Sequence, residues 1–94
     1  MLTTSRTSRF KRDFKRIKAG PHGKELDRIF SDVFAFLLVG DALPPRYRDH
    51  ALSGEYHDCR ECHLKPDLLL IYRKVDGNTL QLTRLGSHSE LFDK

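Results

Sequence analysis

Ninety-four residues with 38% hydrophobic content make one domain spanning 1–94, because a chain this short buries only about 60–65% of its unfolded surface and cannot sustain two cores. The longest apolar runs, VFAFLLVG and LLLIY, fall well short of the roughly 20 residues that cross a bilayer, and MLTTSRTSRF offers no stretch for a signal peptide, so the chain reads as cytoplasmic with no membrane partner. The net charge of +4 is uneven: eight Lys or Arg stand between Arg6 and Lys24 against one acid, Asp13, which points to an anionic partner bound in a salt-dependent way unless the helix simply presents a solvated face.

From Ser8, SRFKRDFKRIKAG sets Phe10, Phe14 and Ile17 at i, i+4, i+7 with basic residues on the other face and Gly20 behind. This predicts a short amphipathic basic helix. After Pro21 and Gly23, KELDRIFSDVFAFLLVG lines up Leu26, Ile29, Phe30, Val33, Phe34, Leu37 and Leu38 before Gly40. A second, more deeply buried helix follows, and its aromatic stripe is core. DALPPRYRDH is irregular, because two prolines deny it helix or central strand, and it gathers Arg46, Arg48, Asp49 and His50 on a loop of the kind that carries chemistry. LSGEY is a turn. Three strands are predicted next, Tyr56 to His63, Asp67 to Val75 and Asn78 to Leu85, with Lys65-Pro66 bending the chain between the first two. Asp76-Gly77 is a hairpin signal that needs positive φ at both central positions. Helices first and strands after give an α+β arrangement, two N-terminal helices on one face of an antiparallel sheet, with the all-apolar LLLIY strand central and the other face free.

CRECH at Cys59 to His63 has the pattern of haem c attachment and half the pattern of a zinc or redox site. Haem attachment needs export, zinc needs two more ligands at suitable spacing, and redox chemistry needs the pair at a helix start. On a strand, residues three apart face opposite ways, so Cys59 and Cys62 cannot share an ion. No metal or cofactor is expected. The same alternation puts Cys59, Glu61 and His63 on one face, and the turn through Pro66 brings Asp67 back beside His63. His50, His63 and His88 with Asp67 and Arg84 then supply two proton carriers and a cation, the minimum kit for metal-free RNA cleavage by the 2′-hydroxyl, while Phe92 can stack on a splayed base. A single histidine such as His22 or His57 is more simply a surface or structural residue. Plain alternation sets Arg84 on the face of Leu80 and Leu82, so a bulge near Thr83 has to turn it outward.

YRDHALSGEY, RECHLKPDLLLIYR and LTRLGSHSELF, in that order and spacing, resemble the YafQ branch of the RelE-like bacterial toxins, ribosome-dependent mRNA endonucleases of type II toxin–antitoxin pairs. The resemblance implies a RelE-like microbial RNase fold, a strongly twisted antiparallel sheet with cleavage on its open face, and ribosome, mRNA and a cognate antitoxin as partners. It also implies active-site residues at His50, His63, Asp67, Arg84, His88 and Phe92, an acid at Glu61, substrate contact at Arg48, and ribosomal RNA bound by Arg9, Arg12, Lys15 and Arg16. On this basis His50 and His88 are the acid and base, Arg84 neutralises the phosphate, His63 and Asp67 orient, and Phe92 stacks. The chain departs at Leu68, where relatives often carry tryptophan; loss of that aromatic weakens stacking on RNA or shifts codon preference. The alternative is a non-catalytic RNA-binding or antitoxin-binding protein that keeps the fold.

Overall fold

The computed structural model describes residues 1–92. The chain runs β1 (Thr3–Arg6), α1 (Ser8–Lys18), α2 (Gly23–Val39), β2 (His50–Ala51), β3 (Arg60–Lys65), β4 (Leu68–Val75), β5 (Thr79–Gly86) and α3 (His88–Phe92), with 3-10 turns at Pro45–Tyr47 and Gly54–Tyr56. The fold is α+β, with a five-stranded mixed sheet ordered β1-β5-β4-β3-β2. Among the described residues no helix is long and apolar enough to cross a membrane.

The two N-terminal helices form where the periodicity sets them. Thr7 starts α1, its hydroxyl accepting from Phe10 N at 3.0 Å, and Gly40 ends α2 in the left-handed conformation at φ 78°, a conformation open to glycine without a Cβ penalty. Their buried residues Phe10, Ile17, Leu26, Ile29, Val33 and Leu37 pack on Leu64, Leu68, Leu70, Tyr72, Leu80, Leu82 and Leu85, each buried aliphatic side chain contributing about 1.5–3 kcal/mol. The opposite face carries a smaller cluster of Cys59, Leu69, Ile71 and Leu91, flanked by Tyr56 and Phe92. β4 is therefore central, with Leu68 through Tyr72 all buried.

Asp76 and Gly77 turn β4 into β5 with φ of 55° and 82°, the positive pair that the hairpin signal requires. The bulge is where Arg84 needs it. Ile71 pairs with Arg84 but Tyr72 pairs with Leu82, which leaves Thr83 as the extra residue. Thr7 holds that bulge, its hydroxyl donating to Thr83 O at 2.7 Å.

Four features differ from the sequence expectation. The sheet is not wholly antiparallel, because β1 pairs parallel with β5 from Thr3↔Thr79 to Arg6↔Leu82. The strand expected from Tyr56 starts at Arg60, since Gly54 at φ 71° curls Gly54–Tyr56 into a 3-10 turn. His50–Ala51, expected as irregular loop, pairs with β3 as an edge strand, and His88–Phe92 forms a short helix. Leu68 is a further correction: it is 2% exposed in the main core under the helices. A side chain there faces away from the histidines, so an aromatic lost at this position removes no stacking surface for RNA on their face.

Candidate active site

Three chain segments bring imidazoles together on the sheet face opposite α1 and α2. β2 pairs His50 opposite Glu61, β3 carries Glu61 and His63 on one face, and α3 begins with His88. Ring centroids lie 6.3 Å apart for His50 and His63 and 5.7 Å for His63 and His88. The row continues from His88 to Phe92 at 6.5 Å and from Phe92 to Tyr56 at 6.0 Å, edge to face. The result is an arc of five rings.

Two of the three imidazoles are held by hydrogen bonds to an acceptor. His50 donates from Nδ1 to Arg48 O at 2.8 Å, which leaves Nε2 toward Glu61 Oε2 at 3.3 Å. His63 Nε2 lies 3.5 Å from Glu61 Oε1. His88 is fixed twice by one oxygen: Asp67 Oδ1 accepts from its backbone N at 2.9 Å and from Nδ1 at 2.7 Å. With Nδ1 as donor, Nε2 of His88 is the atom left to move a proton. These bonds, the backbone N–H first and the ring second, hold the exposed Asp67 carboxyl below the usual carboxylate range.

Glu61, expected to contact substrate, is only 4% exposed and sits between His50 and His63 with one carboxylate oxygen toward each. Arg48 likewise contributes its carbonyl to His50, from a left-handed backbone at φ 50° that ends the Pro45–Tyr47 turn.

Arg84 is turned out by the Thr83 bulge and gripped by a residue that sequence reasoning did not assign. Asp13 Oδ2 accepts from Arg84 Nε at 2.7 Å and from Leu85 N at 3.0 Å, while Oδ1 accepts from Arg84 Nη2 at 3.2 Å and Arg16 Nη1 at 3.0 Å. Burial alone would push Asp13 up, but these donors outweigh it and hold the carboxyl below its usual range. The Asp13 bonds, with a smaller contribution from Tyr56, push Arg84 further toward its charged form. Asp13 had a signal: at i+3 from Phe10 and i−4 from Ile17 it lies on the apolar stripe of α1, where an acid needs a partner. Tyr56, which completes the ring arc beside Arg84, had none.

The basic helix divides in two. Arg9, Arg12 and Arg16 line a cavity with Arg84, whereas Lys15 lies with Lys11 and Lys18 along an apolar groove floored by Phe10, Phe14, Phe30 and Phe34.

The cysteines do not join the site. Both are free and buried, Cys62 in the main core and Cys59 in the opposite cluster. Burial pushes both thiols up, which disfavours the thiolate that a nucleophile or ligand needs. A metal-ligating set lies elsewhere: Glu61, His63 and His88 each offer one ligand atom, all within 4.8 Å of one another, and imidazole with carboxylate suits zinc or copper.

A family model described as "Bacterial toxin of type II toxin-antitoxin system, YafQ" matches residues 2–93. The mRNA interferase toxin YafQ of Escherichia coli K12 is 42% identical over 58 residues, 60% of this chain and 62% of that protein. The chain spans between half and about three-fifths of the length of the curated relatives it matches. Among solved structures, a metal-bound toxin from Helicobacter pylori superposes with a TM-score of 0.82 at 44% identity, covering 98% of this chain and 100% of that one. The E. coli DinJ-YafQ complex gives a TM-score of 0.79 at 25% identity, covering 98% and 99%. A family model that accounts for almost the whole sequence, and whole-chain superposition on the same fold, place this chain in the YafQ family of bacterial toxins from type II toxin–antitoxin systems.

Proposed function

We propose that the chain, acting as one domain over residues 1–94, is a ribosome-dependent mRNA endonuclease silenced by a cognate antitoxin. The observation that carries this is the arc of three imidazoles from three segments, the outer two anchored by hydrogen bonds to the Arg48 carbonyl and the Asp67 carboxylate, with Arg84 beyond Tyr56 at the end of the ring row. Cleavage through the RNA 2′-hydroxyl needs a base for its proton, an acid for the departing 5′-oxygen and a cation for the crowded phosphate. His50 and His88 take the first two tasks. His63 between them and Asp67 behind His88 set the geometry, Arg84 meets the phosphate with its guanidinium fork, and Phe92 stacks on a base beside Tyr56. The relatives' names support the activity, and the E. coli structure with DinJ supports an antitoxin partner.

Mapping RNA ends on translating ribosomes tests this. New 5′-hydroxyl ends within coding sequence, absent from the same message without ribosomes, are the expected result. Antitoxin binding with no new ends establishes the non-catalytic alternative.

The Glu61, His63 and His88 set favours a second use of the same place. We infer that a transition ion binds there and inhibits, because it occupies lone pairs that proton transfer and orientation require; the metal-bound H. pylori toxin supports the affinity. Titrating zinc into a cleavage assay should lower the rate at least about tenfold, the equivalent of 1.4 kcal/mol. A zinc-selective chelator that spares the Mg²⁺ of the ribosome should restore it and leave the metal-free rate untouched. Faster cleavage with zinc identifies the ion as a cofactor instead.

A further inference from the structure

At the seam between α1 and β5, arginines meet in a group that the acid–base cluster does not use. Arg9, Arg12 and Arg16, spaced i, i+3, i+7 on α1, line a surface cavity of about 420 Å³ together with Asp13 and Arg84. Part of that charge is consumed internally: Asp13 pairs with Arg84 and Arg16, and Glu90 of α3 pairs with Arg16. Arg9 and Arg12 are exposed and make no ion pair among the described residues.

Helix electrostatics gives no reason for that placement. Arg9 stands in the first turn of α1, a turn with no acid, and a cation there opposes the positive end of the helix dipole. A bound anion reverses the sign, because the free N–H groups of the helix start and the guanidinium groups then attract the same charge.

We propose that this cavity is a phosphate subsite for the RNA strand being cut, holding a phosphodiester one or more nucleotides from the scissile one. The proposal rests on the nuclease reading above and deepens it. Arg84 is the shared wall. It lies across Ile71 from Glu61 in the sheet and beside Tyr56 at the end of the ring arc, so a strand laid from His50 to Tyr56 leaves the arc at Arg84 and meets Arg12 and Arg9 next. These arginines then extend the grip on the message, where the family resemblance gave them to ribosomal RNA. Lys15 has no part in this subsite, since it faces the phenylalanine groove.

Fluorescence anisotropy with 2′-O-methyl oligonucleotides, which lack the attacking hydroxyl, tests it. The wild-type protein should bind eight nucleotides on the order of tenfold more tightly than three. Arg9→Gln/Arg12→Gln, with helix content checked by circular dichroism, should lose that gain. Its salt dependence should become shallower by about 1.4 in log K against log salt, the value for two phosphate contacts on a single strand. The proposal is overturned if the double variant keeps the length gain and the salt slope. A concurrent loss of ribosome binding would then assign the two arginines to ribosomal RNA, and no loss would make them a solvated face. Absence of any length gain in the wild-type protein overturns it equally. The probes cannot be cut, so such a failure leaves the nuclease reading standing, whereas that reading fails if the wild-type protein produces no new RNA ends on translating ribosomes.

Discussion

Replacing His88 by alanine should lower the rate of message cleavage on translating ribosomes by about 10²- to 10⁴-fold, the contribution of a positioned general acid or base. The fold should survive, because the side chain is more than half exposed at 55% and its ring neighbours in the arc are the rings of His63 and Phe92 rather than the core. Asp67→Asn separates orientation from charge. The amide oxygen can still accept from His88 N and Nδ1, so the ring stays aimed, but the negative charge that stabilises an imidazolium is gone. A drop on the order of tenfold, about 1.4 kcal/mol, is expected. The Asp67 carboxyl is held below the usual range, so it is ionised throughout the interval where imidazole titrates, and the difference between the wild-type protein and Asp67→Asn should not vanish between about pH 5 and 8. Primer extension quantifies the cut ends. Cleavage by His88→Ala at the wild-type rate removes this histidine from the chemistry.

How far the sequence led depended on whether a feature was local. α1 and α2 carry their own period, and Asp76-Gly77 carries its own turn, so both were legible. β1 was not: TTSR has no apolar alternation, and it becomes a strand only because Leu82 and its neighbours on β5 present an edge for it. His50–Ala51 is too short to show any pattern, and five residues of α3 barely exceed one helical turn. At the site, alternation correctly set Glu61 beside His63 on one face. It could not foresee that His50 from β2 and His63 would flank Glu61 and leave it 4% exposed. Arg84 was the reverse case. Alternation set it in the core, yet its chemistry demanded the surface, and the conflict itself pointed to the bulge that the ladder contains at Thr83.

Asp13→Asn should have the largest effect on stability of any polar substitution at the α1 seam. The carboxylate is 2% exposed and receives four hydrogen bonds, three of them from arginines. An amide of the same shape offers one acceptor oxygen and turns N–H donors toward guanidinium groups, leaving the half-buried Arg84 beside a neutral partner. Breaking such a pair costs about 3 kcal/mol, which for a domain of this size lowers Tm by on the order of 10–20 °C. The sign with pH follows from the depressed carboxyl. Asp13 stabilises the fold above its ordinary range near pH 4 and loses that contribution as pH falls through its folded value. The wild-type protein should therefore lose stability on acidification in a step that Asp13→Asn lacks, so the two thermal melting curves converge below about pH 3. Function should fall as well, at temperatures where the variant is folded, because a loosened guanidinium no longer waits at the end of the ring arc. Asp13→Glu keeps the charge and should recover more activity than stability. Melting curves that stay parallel from about pH 7 to pH 3 would show that Asp13 contributes through packing alone.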